Sequence, residues 1–397
     1  MKTCMAIVAI ICLPFLSLVA QANVGDSLLH QNIQRKYIIH IPPSYTGDSP
    51  TPLVITLHGG SGTNQNAQGF TQMNFASNDN GFLVAYPQGA GVAPPGFSWA
   101  DGRGTSADNA GIDDVGFISK MINAISEDYN LDPNRVYVCG FSNGGFMTQR
   151  LACELSDRFA AVGGLGCSMD TSLFATCSPS SPIPMAYFAG TADPEVPFNG
   201  GPMNNPNVLP IVPVDSAVQF WVRHNNCQTV VPKIDLPDLV TDDNSTAQLF
   251  DFTDCDCNTS VRFFKLIGAG HTWPGVEILN IEPLLGETNE DIHASYQLWN
   301  FFSMHSNCDE LTSTEYEELA TIDAQVFPNP SKGIITIKSS EQMYTISLVN
   351  AFGQAIFRNK IMAKEKSFSL ADLPPGVYFI QIEVANNQSV IRKLILQ

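Results

Sequence analysis

The stretch "RVYVCGFSNGGFMTQR", residues 135–150, decides the fold of this chain. It opens with a short apolar run typical of a buried strand and ends in a helical pattern. Between them, Gly140, Ser142 and Gly144 form the spacing Gly-x-Ser-x-Gly. A serine on a sharp turn from strand to helix is presented as a nucleophile, with the free N–H groups of the helix beside it. In an ordinary glycine-rich loop the same spacing carries no chemistry, so the surrounding sequence has to separate the two interpretations.

Apolar runs alternate with helical patterns from about residue 33 to 303. Short, nearly continuous apolar runs are typical of parallel strands covered on both faces, so the alternation predicts an α/β fold with a mostly parallel central sheet. The clearest helical pattern covers residues 113–130, with Asp113 or Asp114 as its N-cap. The predicted strands are "RKYIIHI" (35–41), "PLVITLH" (52–58), "FLVAYP" (82–87), "RVYVCGF" (135–141), "FAAVGGLG" (159–166), "IPMAYFAG" (183–190) and "VRFFKLIG" (261–268).

Two later strands are followed by the partners that a serine nucleophile requires. Asp193 comes after "IPMAYFAG", and His271 comes after "VRFFKLIG". A serine hydroxyl needs a base within hydrogen-bond reach and a carboxylate that orients this base, and the order Ser142, Asp193, His271 is that of α/β-hydrolase triads. We therefore predict a catalytic triad, with two alternatives left open: Asp193 as a turn residue before Pro194, and His271 as a packed loop histidine.

Acyl transfer also requires N–H donors for the oxyanion that forms during the reaction. The backbone N–H of Asn143, the residue after the nucleophile, is the first candidate. The second comes from "HGGSG" (58–62), where we predict the backbone of Gly60, with Ser61 as the near alternative. A merely flexible turn is the other interpretation of this glycine-rich loop.

Composition and the N-terminal segment indicate an exported protein. The chain has 397 residues, a formal net charge of −18 and an apolar fraction of 44%, typical of a soluble globular protein and unsuited to nucleic acid or an anionic membrane surface. Residues 1–22 run from Lys2 through an apolar segment to Ala20-Gln21-Ala22, which predicts a signal peptide cleaved after Ala22. A membrane anchor is the alternative, but this run is short for a bilayer, and no later stretch is long and apolar enough to span one.

The ten cysteines fit an oxidising compartment, because eight remain once the predicted signal peptide is removed. Spacing suggests Cys227 with Cys255 or Cys257, and Cys167 with Cys177. The "CDC" at 255–257 raises the possibility of a metal site, but no second Cys or His pair lies at zinc-ligand spacing, so we expect no metal and no cofactor.

The chain changes character after residue 303. We predict a hydrolase domain over residues 23–303, a polar and acidic linker over 304–322, and a separate all-β domain, a sandwich, over 323–397. Short alternating strands and Pro, Gly and Asn turn signals support the last assignment.

Residues 33–303 resemble the secreted α/β-hydrolase esterases that include polyhydroxybutyrate depolymerase-like enzymes, feruloyl esterases and acetylxylan esterases. The resemblance rests on "LHGGSG", "IDDVGFI", "DPNRVYVCGFSNGGFMTQRLACE", "AGTADPEVPF" and "GAGHTWPG". It implies a Ser-His-Asp hydrolase without a cofactor, with these roles at Ser142, His271 and Asp193. Trp99 in "FSWADG" and Trp273 in "HTWPG" also look family-like, either as walls of a pocket for an acyl or phenolic group or as packing residues.

The C-terminal segment resembles the sorting domain of the type IX secretion system. The matching segments are "VFPNPSKGIITI", "ISLVNAFGQAIF", "LADLPPGVYFIQI" and "VIRKLILQ". This implies a partnership with the secretion machinery and a secreted or cell-surface location. A carbohydrate-binding or adhesive domain is the alternative, but the aromatic residues fit strand alternation better than an exposed platform.

The expected function is therefore a secreted serine carboxylic-ester hydrolase. Its substrate would be a polyester, a feruloylated or acetylated polysaccharide, or a small ester. Other hypotheses are an acetylxylan esterase or another plant polysaccharide esterase, a serine peptidase of the same fold, and a non-catalytic binding protein on a hydrolase scaffold.

Overall fold

The computed structural model describes residues 22–94, 96–276, 282–307, 324–350, 355–371, 373–384 and 389–397. The predicted signal peptide, apart from Ala22, and most of the predicted linker lie outside these residues.

The strands of the N-terminal part form one large sheet and one small ribbon. In chain order they are β1 (Ala22–His30), β2 (Ile33–Ile41), β3 (Thr51–Leu57), β4 (Leu83–Pro87), β5 (Gly91–Ala93), β6 (Gly96–Ser98), β7 (Leu131–Phe141), β8 (Ala161–Leu165), β9 (Met185–Gly190), β10 (Thr229–Val230), β11 (Ile234–Asp235), β12 (Thr246–Thr253) and β13 (Val261–Ile267). All seven predicted strands are present. The predictions omitted β1, the ribbon β5–β6, and the strands β10, β11 and β12.

The central six strands of the sheet run parallel in the order β4-β3-β7-β8-β9-β13. Antiparallel strands extend the sheet on both sides, with β2 and β1 beyond β4 and with β12, β10 and β11 beyond β13. The predicted α/β fold with a mostly parallel central sheet is therefore confirmed. Parallel strands direct their carboxyl ends to one edge, so the loops after β3, β7, β9 and β13 meet there.

Helices cover this sheet. They are α1 (Asn64–Thr71), α2 (Met73–Asn80), α3 (Ser106–Asn109), α4 (Asp114–Asp128), α5 (Asn143–Glu154), α6 (Thr171–Thr176), α7 (Val214–His224), α8 (Glu282–Leu285) and α9 (Ala294–Phe302), with 3₁₀ turns at Ser156–Arg158 and Asp256–Asn258. Of the two predicted caps for α4, Asp113 is the N-cap, and its carboxylate accepts a hydrogen bond from the Gly116 N–H.

The buried apolar side chains form separate clusters, because successive residues of a strand face opposite sides of a sheet. Leu53 and Ile55 of β3 belong to one cluster, whereas Val54 between them belongs to the other. A strand covered on both faces is therefore apolar at most positions on both sides, which is why "PLVITLH" is a nearly continuous apolar run.

The C-terminal part is an antiparallel β domain with its own apolar core. Its strands are β14 (Ala324–Phe327), β15 (Ile334–Asn350), β16 (Ala355–Ser369), β17 (Gly376–Val384) and β18 (Ser389–Leu396). They are joined by hydrogen bonds into one five-stranded sheet, because the long β15 pairs with β14 along its first part, with β17 along its second, and with β16 throughout. The all-β prediction is confirmed, and no helix lies among the described residues after 323.

Two disulfides that join described residues connect loops to helices of the N-terminal part. Cys227 pairs with Cys255, one of the two predicted partners, and ties the end of α7 to the loop before β13. The predicted pair of Cys167 and Cys177 is wrong, because Cys177 pairs with Cys153 at the end of α5 while Cys167 is a buried free thiol. Proximity along the chain favoured Cys167, but in space α6 lies beside the end of α5.

Candidate active site

Ser142 occupies a strained turn between β7 and α5. Its backbone has φ 54° and ψ −121°, a conformation that side chains other than glycine rarely adopt. The turn is held by the Ser142 N–H, which donates to the carbonyl of Leu165 at 2.9 Å, and by the Ser142 carbonyl, which accepts from the Phe146 N–H at 2.9 Å. The geometry is that of the nucleophile elbow predicted from the sequence.

The two glycines of the motif are required by close backbone contacts. A Cβ atom at Gly144 would lie 2.5 Å from the carbonyl oxygen of His58, and a Cβ atom at Gly140 would overlap the carbonyl oxygen of Gly144. Any side chain at these positions would therefore push α5 away from the end of β3, and Ser142 with it.

Asp193 and His271 are in direct contact at the same edge of the sheet. Oδ2 of Asp193 accepts a hydrogen bond from Nδ1 of His271 at 2.6 Å, and their side chains are only 3% and 5% exposed. The other carboxylate oxygen, Oδ1, accepts from the backbone N–H groups of Glu195 and Val196 at 2.8 and 2.7 Å. Asp193 thus makes the turn contacts of the alternative interpretation and orients the imidazole as well.

His271 is held beside the nucleophile elbow. Its ring centroid lies 4.7 Å from that of Phe141, the residue before the nucleophile. A Cβ atom at Gly166 would lie 3.0 Å from Cε1 of His271, and Gly166 directly follows Leu165, which binds the Ser142 N–H. Asp193 and His271 are therefore in contact, and the His271 ring lies beside residues that flank or bind Ser142, on the loops after β7, β9 and β13.

The loop after β3 lies against the elbow. A Cβ atom at Gly59 would lie 3.4 Å from Cβ of Ser142, and one at Gly60 would lie 3.6 Å from Cβ of Asn143. Gly60 and Ser61 are solvent-exposed, and within the described ranges no group accepts a hydrogen bond from either N–H or from that of Asn143. The residues predicted to supply the oxyanion donors are thus close together, and their N–H groups have no acceptor among the described residues.

His58 shapes this loop from inside the protein. Its Nδ1 donates to the carbonyl of Gly59 at 2.7 Å, because Nε2 accepts from the N–H of Gly89 at 3.0 Å and from the amide of Gln88 at 2.9 Å. Burial lowers the pKa of His58 to about 4, so the ring is neutral at pH 7. Sequence reasoning did not single out this histidine, since its role depends on contacts with the distant residues 88 and 89.

The two tryptophans considered for substrate binding are fully buried. The indole N–H of Trp99 donates to the carbonyl of His58 at 2.9 Å, and that of Trp273 donates to the hydroxyl of Ser295 at 3.2 Å. Trp273 also packs edge-on against Phe70. Both indoles are shielded from solvent and hydrogen-bonded inside the protein, which favours the packing interpretation left open above.

The ribbon β5–β6 instead presents apolar side chains to solvent. Val92 and Phe97 face each other across the ribbon and are 69% and 36% exposed. The ribbon adjoins the glycine-rich loop, because the Phe97 N–H donates to the carbonyl of Gly62 at 3.0 Å. The sequence prediction chose Trp99 because the segment "FSWADG" looks family-like, and it did not consider Phe97, two residues earlier.

Comparison with known proteins gives two family matches. Residues 35–176 match the model described as esterase PHB depolymerase, and residues 325–397 match the secretion system C-terminal sorting domain. Both agree with the families predicted from the sequence. The second match supports the predicted secreted or cell-surface location.

Individual relatives are esterases. The chain is 30% identical to feruloyl esterase B of Piromyces equi over 60% of this chain and 42% of that protein. It is 25% identical to a bifunctional acetylxylan esterase/xylanase of Neocallimastix patriciarum over 68% of this chain and 36% of that protein. The chain thus spans about two fifths of the length of these relatives. Among solved structures, a thermostable esterase aligns with a TM-score of 0.44 at 17% identity, over 72% of this chain and 63% of that one.

No helix in the described part of the chain has the length and apolar character needed to cross a membrane.

Proposed function

We propose that this chain is a secreted serine hydrolase of carboxylic esters, with Ser142 as nucleophile, His271 as general base and acid, and Asp193 as the carboxylate that orients the imidazole. The observation that carries the proposal is the 2.6 Å contact between Asp193 and His271, both buried, beside the strained turn of Ser142. Such a constellation activates a hydroxyl that is otherwise a weak nucleophile at neutral pH.

The reaction follows from the protons that these groups hold. Asp193 keeps the imidazole proton on Nδ1, so Nε2 of His271 is free to accept the proton of Ser142 as its oxygen attacks the ester carbonyl. The imidazolium then protonates the leaving alcohol as the C–O bond breaks, which leaves an acyl-enzyme. Water attacks the acyl-enzyme by the same route, restoring Ser142 and releasing the acid.

The negative charge that develops on the carbonyl oxygen needs donors that are already in place. We assign this role to the backbone N–H groups of Asn143 and Gly60, with Ser61 as the alternative in the loop. Their proximity to each other and their lack of acceptors within the described residues support the assignment.

For the substrate, we propose a feruloylated or acetylated polysaccharide ester. The relatives named above support these ester classes. The exposed Val92 and Phe97 beside the oxyanion loop offer an apolar surface for an acyl group. A polyester is the third candidate, supported by the match of residues 35–176 to the esterase PHB depolymerase model.

Residues 325–397 match a sorting domain, for which we propose the secretion machinery as partner.

The experiment is hydrolysis of a nitrophenyl ester by the wild type and by Ser142→Ala, with both proteins shown to be folded by circular dichroism. Loss of a triad nucleophile lowers turnover by about 10⁶-fold, so the variant should have almost no activity. An organophosphonate should label the wild type at Ser142 and leave the variant unlabelled. Substantial activity in Ser142→Ala would refute the triad.

The same preparation separates the other hypotheses. A panel of methyl ferulate, acetylated xylan and polyhydroxybutyrate, run beside peptide substrates, ranks the candidate bonds. Faster cleavage of peptides than of every ester would favour a peptidase. An absence of phosphonate labelling in folded wild type would favour a binding protein.

A further inference from the structure

The nucleophile elbow rests on a buried polar network that the catalytic steps above do not use. Its members are Trp99, Asp101, Arg103 and Asn143, none more than 5% exposed. Buried polar side chains carry a desolvation cost unless their hydrogen bonds are made, so a network of this kind holds its members in one arrangement.

The side chain of Asn143 is bound at both ends. Its Oδ1 accepts a hydrogen bond from the Trp99 backbone N–H at 2.7 Å, and its Nδ2 donates to Oδ2 of Asp101 at 2.6 Å. Asn143 is the first residue of α5, and its own backbone N–H is the proposed oxyanion donor. Fixing the side chain of this residue therefore also limits how its peptide plane can rotate.

Asp101 is itself held by a forked contact. Its Oδ2 accepts from Nε and from the terminal nitrogen of Arg103 at 3.0 and 2.7 Å, and its Oδ1 accepts from the Arg103 N–H at 3.0 Å. The guanidinium lies 3.5 Å from the ring centroid of Phe146, one turn along α5. The ion pair is thus packed against the helix that carries Asn143, and the carboxylate has little freedom to turn away.

The same segment also holds the other side of the oxyanion site. The indole N–H of Trp99 donates to the carbonyl of His58 at 2.9 Å, and His58 precedes the loop that contains Gly60. The segment is anchored to the protein by the Ala100 N–H, which donates to Asp114 at 2.7 Å, and by Arg150, which donates to the Ala100 carbonyl at 2.7 Å. Residues 99–103 therefore connect the supports of both proposed donors.

We propose that Asp101 is a positioning residue for ester hydrolysis, which clamps the Asn143 amide against the Trp99 backbone and so sets the Asn143 N–H relative to the Gly60 N–H. The inference rests on the proposed function. An oxyanion contact strengthens in the transition state, so a displaced donor lowers kcat and leaves KM almost unchanged.

The test compares wild type with Asn143→Ala and Asp101→Asn, with kcat normalised to the sites titrated by an organophosphonate. We expect kcat to fall by about 10- to 100-fold in each variant, while KM stays within about threefold of the wild-type value. This loss is smaller than the ~10²–10³-fold loss of kcat caused by removing a donor altogether. A trifluoromethyl ketone, which forms a tetrahedral adduct with the serine, should bind more weakly in proportion to the loss of kcat/KM.

An exchange of the two side chains separates positioning from general packing. Asn143→Asp alone places the carboxylates of residues 143 and 101 together, and neither carboxylate can donate a hydrogen bond to the other. This variant should therefore have a lower kcat than Asn143→Ala. The double variant Asn143→Asp/Asp101→Asn restores one donor and one acceptor, and should recover at least tenfold in kcat over Asn143→Asp. A role in stability alone would not be restored selectively in kcat.

Asp251→Asn is the matched control. Asp251 on β12 makes a similar forked contact with Arg262 on β13, at 2.7 and 2.9 Å, far from the elbow. The Asp251→Asn variant should therefore have the same kcat as wild type. Unchanged kcat in both Asn143→Ala and Asp101→Asn, with Ser142-dependent hydrolysis in wild type, would overturn this inference alone. Wild-type hydrolysis that does not depend on Ser142 would overturn the proposed function and the inference together.

Discussion

Oδ2 of Asp193 lies 2.6 Å from Nδ1 of His271, although 78 residues separate them in the chain. The contact joins the loop after β9 to the loop after the neighbouring parallel strand β13. It exists because the carboxyl ends of parallel strands share one edge of the sheet. The residue that follows a strand is thereby brought close to residues that are distant in sequence.

Replacing Asp193 by Asn should lower kcat by about 10⁴-fold. The amide would donate to Nδ1 of His271, so the ring proton would move to Nε2, which could then no longer accept the proton of Ser142. Stopped-flow or steady-state hydrolysis of a nitrophenyl ester measures the loss.

Asp170→Asn provides the control for this change. Asp170 is 1% exposed, and its carboxylate accepts from two backbone N–H groups, those of Ser172 and Leu173, as Oδ1 of Asp193 does from two others. Equal activity in Asp170→Asn and Asp193→Asn would mean that Asp193 is only a turn residue.

Removing the disulfide of Cys153 and Cys177 by a double change to Ser should lower the free energy of unfolding by about 3 kcal/mol. The reason is that the unfolded chain regains the conformational entropy that the closed loop denies it. The two cysteines are 24 residues apart in sequence. Urea unfolding followed by fluorescence measures the change.

Peptide mapping without reduction tests the pairing itself. It should recover the linked peptides of Cys153 and Cys177, while Cys167 reacts with iodoacetamide only in denaturant, because it is fully buried. A linked pair of Cys167 and Cys177 would contradict the structure.

The double variant Val92→Ser/Phe97→Ser should lower kcat/KM for methyl ferulate by about tenfold relative to methyl acetate, since an aromatic contact contributes on the order of 1 kcal/mol beyond simple burial. Both esters release methanol, so the difference between their hydrolysis rates reflects the acyl group alone. A pH-stat measures both rates from the acid released. Phe75→Ser is the control, because Phe75 is 58% exposed on α2, outside the ribbon. An equal effect of the two variants on both esters would remove the ribbon from acyl recognition.

The stability of the protein should fall as the pH drops from about 6.5 to 4, in part because of His305. Burial, with a smaller contribution from Arg262, lowers the pKa of His305 to about 4, whereas an unfolded histidine titrates near 6.5. Between these values the unfolded state binds more protons than the folded state, so acid favours unfolding.

His305→Gln isolates this contribution, since a glutamine can still accept the hydrogen bond that the imidazole makes with the Ser260 hydroxyl. Between pH 7 and 4.5 the variant should lose about 2 kcal/mol less unfolding free energy than wild type. Urea titrations at both pH values measure this, and parallel losses in the two proteins would show that His305 is not responsible.

Much of this architecture was predictable from the sequence. The parallel strands are mostly apolar because both of their faces are covered, and this makes them visible as runs. The antiparallel strands β1 and β12 were missed because many of their residues are exposed or half-buried, so their sequences lack that signal. The pairing of Cys177 was misjudged because loop length along the chain says little about which helix end lies nearby.

The sequence by itself determined the seven predicted strands and their order, the motif around Ser142, and the positions of Asp193 and His271 after two strands, because all of these depend on local patterns. Only the tertiary structure decided that Trp99 is a buried support, that Phe97 is exposed beside the glycine-rich loop, and that Asn143 is held by Asp101. Those outcomes depend on which side chains contact each other across the loops and on how much of each side chain is removed from solvent. A linear pattern does not record either quantity.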